Sequence, residues 1–480
     1  MKARILAPEN RKWLTLGAVA FALFMIMLDN TVVNVALPSI QRDLGLGLSE
    51  LEWTVNAYAL TFAVLMLSGG KLADRYGRKR IFLLGLLVFT LASLACGLAT
   101  GGGMLIAARA VQGAGAALML PATLGVISAT FHPRERGLAF GIWAGVSAMA
   151  LAIGPLVGGL LTEHVNWNWI FFINVPVGIL GLIAGWFLIS ESRDSSAVQR
   201  LDLPGLVVSA GALFALTFGL IEANRYGWTS PTILGLFAGA AIGFVVFVLL
   251  ELKQRTPMLD LSLFRNSTFA GANATAMLVT LAMFGVFFFM SLYVQRILGY
   301  SPVQAGAIFL PMTILIILIA PVSGKLSDRV GSRWLMGAGM TLTAGSLVVF
   351  SRLGLDSGFW DMLPGLLMGG FGMAMTMTPM TAAAMSAVPV DKAGVGSGVL
   401  NTFRQVGGAL GIAVMGAILT SQSTSALERG ATRPEAFLDG FQTALSVAAV
   451  IAFCGALVAV ATVRRVDHAE PVKATEGVTA

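Results

Sequence analysis

The sequence predicts an all-α, multi-pass membrane protein, and three observations carry that reading. The 480 residues are 56% hydrophobic and only 11% charged, whereas a soluble chain keeps about 25% of its residues charged to solvate its surface. Most of the chain falls into apolar runs of about 20 residues, the length of helix that crosses roughly 30 Å of hydrocarbon. The alternating segments of about ten residues that mark a membrane β-barrel are not part of its pattern. A bundle of helices, each satisfying its own backbone, is the arrangement that lipid permits.

Fourteen spans are expected, near 13–37, 52–70, 81–99, 103–128, 138–161, 169–190, 204–222, 231–251, 269–294, 303–324, 334–351, 361–387, 395–420 and 440–463. With both termini in the cytoplasm, the cytoplasmic segments hold 23 of the 31 Lys and Arg, which satisfies the positive-inside rule. Arg11, Lys12, Arg75, Arg78, Lys79 and Arg80 are among them. The net charge of +7 therefore reads as anchoring beside anionic lipid. The basic residues are spread over separate loops, so no nucleic acid is expected as a partner. The first apolar run, from Trp13, is too long for a signal peptide and contains Asp29, so it is read as a retained span. Cys96 and Cys454 sit singly in apolar runs and are expected to pack rather than to pair. His132, His164 and His468 lie far apart, so no metal and no cofactor is expected. Neither a phosphate-binding G-x-x-x-x-G-K-[ST] loop nor H-E-x-x-H is present, and an enzyme is not expected.

An internal repeat organises the chain. Gly70-Lys71-Leu72-Ala73-Asp74-Arg75-Tyr76-Gly77-Arg78 recurs as Gly324-Lys325-Leu326-Ser327-Asp328-Arg329-Val330-Gly331-Ser332-Arg333. Both copies leave an apolar span for a short cytoplasmic loop. Eight spans separate them where two directly fused six-span halves would leave six, so 204–222 and 231–251 are read as an inserted pair. The expected divisions are 1–195, a six-helix half; 196–265, the inserted spans; 266–465, a second six-helix half; and 466–480, a cytoplasmic tail. Repeated halves around a central site underlie alternating access in secondary transporters.

Four segments in register resemble the fourteen-span drug:proton antiporter family of the major facilitator superfamily, over essentially residues 12–465. They are Leu28-Asp29-Asn30-Thr31-Val32-Val33-Asn34-Val35-Ala36-Leu37-Pro38, the Asp74 loop, Arg109-Ala110-Val111-Gln112-Gly113, and Gly145 through Gly154-Pro155-Leu156-Val157-Gly158-Gly159. The resemblance implies a major facilitator fold and export of a small amphipathic substrate in exchange for protons, with membrane lipid as surroundings and an adaptor protein unspecified. It implies that the fifth-span glycines and Pro155 belong to a motif of antiporters rather than symporters. It also implies a cytoplasmic latch, in which Asp74, with Arg75, Gly77 and Arg78, faces the N-terminus of a helix beginning near Gly394. Asp328 and Arg329 hold the repeated positions. The segment Asn166 to Pro176 has Asn168 where the family usually has Arg.

Independently of the resemblance, an ionisable residue inside a span costs about 2.5–3.5 kcal/mol on insertion scales and needs a reason. Asp29 and Arg109 fall at similar depths below the outer ends of their spans, which points to an electrostatic pair facing a water-accessible cavity. A change of hydration between two states could then load and release a proton. Asn30, Asn34, Asn56, Tyr58, Gln112 and Asn401 are polar groups within spans, and Phe284, Phe288 and Met373 lie in aromatic and thioether clusters; all nine are expected as substrate contacts. Spans 269–294 through 440–463 hold no acid except Asp361 at a boundary. That favours a neutral or monocationic lipophilic substrate over a dication.

Overall fold

The computed structural model describes residues 8–193, 202–254, 257, 259–388 and 393–464. The predicted tail 466–480 lies outside the described residues. Among those described, every regular element is helical: α1 (Pro8–Leu44), α2 (Leu48–Tyr76), α3 (Arg78–Gly97), α4 (Gly102–Thr130), α5 (Pro133–His164), α6 (Trp169–Phe172), α7 (Asn174–Leu188), α8 (Leu203–Tyr226), α9 (Pro231–Lys253), a 3-10 turn (Leu261–Arg265), α10 (Ser267–Arg296), α11 (Pro302–Ile308), α12 (Leu310–Val330), α13 (Ser332–Phe350), α14 (Phe359–Ser386), α15 (Ala393–Glu428) and α16 (Arg433–Thr462).

Helix occupies each interval expected from the sequence. Ten of the described helical stretches are long and apolar enough to cross a membrane, or eleven when the bent pair within α2 is taken as one. Two expected spans are interrupted, at Ile173 between α6 and α7 and at Phe309 between α11 and α12. Pro176 and Pro311 stand just beyond these breaks. Neither can donate to the carbonyl four residues back, so the ladder opens there.

The repeated motif folds the same way twice. Gly77 has φ +116° and Gly331 φ +95°, backbone that a side chain disfavours. The Gly77 N–H donates to Ala73 O at 3.0 Å and that of Gly331 to Ser327 O at 2.9 Å. Packing repeats as well. The pairings α1·α5, α1·α7, α2·α4, α3·α4 and α3·α7 have counterparts in α10·α15, α10·α16, α12·α14, α13·α14 and α13·α16. The two groups meet along two seams, α2·α15 and α5·α11.

Helix α8 packs on both members of the first seam, α2 and α15, and carries α9 on its back. Ala59, Leu60, Leu213 and Ala409 form a buried cluster there, with Trp53, Val64, Phe244 and Val406 around it. Most of α9 turns outward, with Ile242, Val245 and Leu252 exposed. Together with Trp186 and Phe187 of α7, these form the kind of apolar surface that lipid tails cover at no cost in unpaired polar groups.

Candidate functional site

The first apolar run folds as a helix through Asp29 because its neighbours carry no breaker until Pro38. Asp29 lands inside the bundle, with no exposed surface, and Arg109 of α4 is 1% exposed. Arg109 Nη1 donates to Asp29 Oδ2 at 2.5 Å. Asp29 Oδ1 accepts from Gln112 Nε2 at 2.9 Å and from Asn174 Nδ2 at 3.2 Å. Gln112 also bonds Ser93 Oγ at 2.8 Å, and its Oε1 accepts from Arg109 Nη1 at 2.7 Å. Helices α1, α4 and α7 thus meet at one carboxylate, and Ser93 of α3 bonds its two amide partners.

Arg109 has supports that do not depend on Asp29. Its Nε donates to Thr54 O at 3.1 Å, and its guanidinium lies 4.3 Å from the centre of the Tyr58 ring, a cation–π contact. Removing the negative charge from Asp29 would leave the cation bonded to Thr54, Gln112 and Tyr58. Buried charges of this kind are stable only with such partners, since an unpaired one costs several kcal/mol.

The predicted pairing of Asp29 and Arg109 is therefore present, whereas the expected water-facing position is not. In this conformation the network is buried among α1, α2, α3, α4 and α7. Asn174, Ser93 and Thr54 were not singled out from the sequence. Asn174 sits in the segment resembling the family, at the start of α7; Ser93 and Thr54 carry no local signal.

The expected substrate contacts divide. Asn30, Asn34, Phe284, Met373 and Asn401 are partly exposed. The amides of Asn30, Asn34 and Asn401 donate to carbonyls of their own helices. Asn56, Tyr58, Gln112 and Phe288 are wholly buried, so in this conformation they do not line an open surface. Tyr58 lies under Arg109, Gln112 belongs to the Asp29 network, and Phe288 packs on Phe289 at 4.7 Å. The reason is rotational setting: Tyr58 of α2 turns toward Arg109 of α4, and Gln112 of α4 turns toward Asp29 of α1 and Ser93 of α3, which the polar character of the side chains alone does not disclose.

The fifth-span glycines make two contacts. A Cβ at Gly158 would come within 2.7 Å of Val32 O, and one at Gly154 within 2.9 Å of Thr31 Cβ, so these glycines press α5 on α1. A Cβ at Gly159 would come within 2.8 Å of Val303 Cα, and one at Gly306 would strike the Pro155 carbonyl. That is the α5·α11 seam. Gly145 has open space around it. The same end carries polar ties between the two groups of helices: Glu163 Oε2 accepts from the Val303 N–H at 2.9 Å, Gln295 Nε2 donates to Val35 O at 2.9 Å, and Arg296 donates to Gln41.

At the opposite end, Asp74 pairs with Arg78 of its own turn, at 2.9 and 3.0 Å. Arg78 Nη1 reaches Gly125 O at 3.3 Å. Arg75 lies over the Tyr76 ring, and Glu191 crowds Gly77 and accepts from the Lys79 N–H at 3.2 Å. Asp74 therefore braces α2, α3 and α4 here. The implied partner near Gly394 adjoins 389–392, which lie outside the described residues, as does the side chain of Asp328. Arg329 is exposed. Asn168, the departure from the family pattern, ties the loop before α6 to Gly97 O at 2.8 Å.

The fold and this buried pair define a polytopic helical membrane protein built from a repeated packing unit. The sequence profile of the Major Facilitator Superfamily matches residues 19–412, and the chain belongs to that family of transporters. It is 39% identical over 414 residues to a tetracenomycin C resistance and export protein of Streptomyces glaucescens, covering 86% of this chain and 77% of that one. It is 37% identical over 450 residues to a puromycin resistance protein of Streptomyces alboniger, covering 93% and 89%. With a methylenomycin A resistance protein of Bacillus subtilis it shares 36% over 408 residues, covering 85% and 87%. The fold is shared with the crystal structure of a bacterial homologue of the human lysosomal transporter Spinster, inward-facing and unoccupied (TM-score 0.69, 17% identity, 96% of this chain and 99% of that chain). A peptide transporter, POT, in complex with sulfate is similar in the same way (TM-score 0.67, 17% identity, 93% and 94%).

Proposed function

We propose that the chain is a proton-coupled antiporter that exports lipophilic, neutral or monocationic drugs across the cytoplasmic membrane. Its fourteen crossings would form two six-helix halves, with α8 and α9 inserted between them and both termini in the cytoplasm. The observation that carries the reading is Asp29, a titratable acid held at the convergence of α1, α4 and α7 by Arg109, Gln112 and Asn174. A carboxyl in such a place exchanges a proton with water only when the helices around it move. Arg109 keeps three other supports, so the pair can part without stranding a bare cation.

The second support is the placement of glycine where α5 meets α1 and α11. Gly154 and Gly158 let α1 and α5 touch, and Gly159 with Gly306 let α5 touch α11, close approaches that only small residues allow. Opening that seam would disturb α1 along its length, including Asp29. A proton entering down a potential of 100 mV brings about 2.3 kcal/mol, which drives a neutral substrate uphill; for a monocation exchanged one for one the charges cancel, and the pH difference or a second proton drives export. The named relatives confer resistance to or export tetracenomycin C, puromycin and methylenomycin A, which supports a small antibiotic-like substrate. No cofactor is needed beyond the proton gradient.

Everted vesicles with a fluorescent dye test the reading. Dye should accumulate inside them when respiration is energised and escape on adding a protonophore; energised loss of dye instead would mean import. A second reading, export of one endogenous compound, is favoured by the relative named as a probable actinorhodin transporter. A narrow substrate range in the same vesicles would select it.

A further inference from the structure

Two acids that stand at apolar boundaries in the sequence are buried together at one end of the inserted helix pair. Asp202, the N-cap of α8, is 4% exposed, and Glu251, in the last turn of α9, is 3% exposed. Asp202 Oδ1 accepts from the Gly205 N–H at 2.7 Å and from Gln254 Nε2 at 2.6 Å. Glu251 Oε2 accepts from the Leu259 N–H at 2.8 Å. Glu251 Oε1 is buried with no N–H or O–H donor in reach. It is turned toward Asp202. Glu251 Oε1 and Asp202 Oδ2 crowd the same space above Gly205, where a Cβ would come within 2.8 Å of Oε1. Two buried carboxylate oxygens from different helices thus share one small space. Carboxylate oxygens are acceptors only, so two of them buried side by side can bond each other only through a proton shared between them.

Among the described residues, Lys71 of α2 is a cation close enough to both acids to favour their charged forms. Its Nζ also donates to Pro257 O at 2.6 Å. Lys71 belongs to the repeated motif, three residues before Asp74. The acids, Lys71, Gln254, Pro257 and Leu259 thus fasten the chain between α9 and α10 to the end of α2 that carries the Asp74 turn.

We propose that Asp202 and Glu251 form a second proton-binding site, separate from Asp29, in which one shared proton holds the inserted pair and its following linker against α2. With the proton in place, one negative charge faces the Lys71 ammonium. Without it, two buried carboxylates lie side by side near Lys71, their shared proton is gone, and like charges repel at close range in a poorly solvated place. The linker then loosens from α2. In the proposed orientation this site takes its proton from the cytoplasm, and it does not require that Asp29 drive transport.

Hydrogen exchange on the full chain in lipid nanodiscs, followed across mildly acid to mildly alkaline pH and corrected for base catalysis, tests it. The Leu259 amide should be protected at the acid end and exchange at least about tenfold faster at the alkaline end, a change of about 1.4 kcal/mol. Glu251→Gln keeps the shape and donates to Asp202 without a titrating proton, so its Leu259 amide should stay protected throughout. Asp202→Asn retains the cap and should behave alike. A wild-type profile flat with pH would overturn the proposal. So would Glu251→Gln losing protection with the same pH dependence as the wild type.

Discussion

Asp29 and Arg109, eighty residues apart in the chain, make a 2.5 Å ion pair that no water reaches in this conformation. The two partners are not equally dependent on it. Arg109 is also held by Thr54, Gln112 and Tyr58, whereas Asp29 has Arg109 as its cation and two amides besides. Loss of Arg109 strands an anion; loss of the Asp29 charge leaves a solvated-like cation.

Arg109→Gln should therefore lower stability by about 3–5 kcal/mol, the usual consequence of removing one member of a buried pair. Thermal unfolding in detergent reads it. The double variant Asp29→Asn/Arg109→Gln should regain most of that stability while remaining inactive.

Gly159→Leu should wedge α5 from α11, since even a Cβ meets Val303 and Pro302. Overpacking of this kind costs about 1–3 kcal/mol. Cysteines placed at Gln295 and Val35 should label faster from outside in this variant, and transport should fall.

Glu163 lies beyond the expected end of its span at 161. Hydrogen bonds from the Ser301 side chain and the Val303 N–H hold its carboxyl below the usual range. The contact with Val303 should be complete above the ordinary carboxylate value, about 4.3, and lost as pH falls through the lowered one. External labelling at the α5·α11 seam should rise only in that acid window. Glu163→Gln should abolish the acid-dependent part.

Gly77→Ala should destabilise by more than about 1 kcal/mol, because φ is +116° and a side chain there is strained; the new methyl also meets Glu191. The Gly331→Ala variant should suffer for the backbone reason as well. Urea or thermal unfolding of both checks this.

Much of this was legible in the sequence. Apolar runs located the helices, since burial in lipid leaves little choice of backbone structure. The Asp74 and Asp328 repeats foretold two turns with the same glycine geometry. The matching depths of Asp29 and Arg109 foretold their pairing. What escaped was rotational setting. Tyr58 and Gln112 look like cavity groups by polarity, but Tyr58 turns under Arg109 and Gln112 turns to Asp29 and Ser93. Glu52, at a span boundary in the sequence, is 2% exposed and abuts Gly416 of α15. Its neighbour Glu222 accepts from Ser49 Oγ at 2.5 Å. Their burial depends on α8 docking over the seam, a tertiary event without a local signature. Asn174 reaches Asp29 from the first turn of α7, a setting that its place in the sequence does not disclose.

The most direct measurement is dye transport driven by an imposed pH gradient in proteoliposomes, wild type against Asp29→Asn. The isosteric amide can keep bonds to Gln112 and Arg109 but holds no titrating proton. It should bind dye, equilibrate it downhill and fail to concentrate it. Full gradient-driven accumulation by Asp29→Asn, with the wild-type pH profile, would contradict the account.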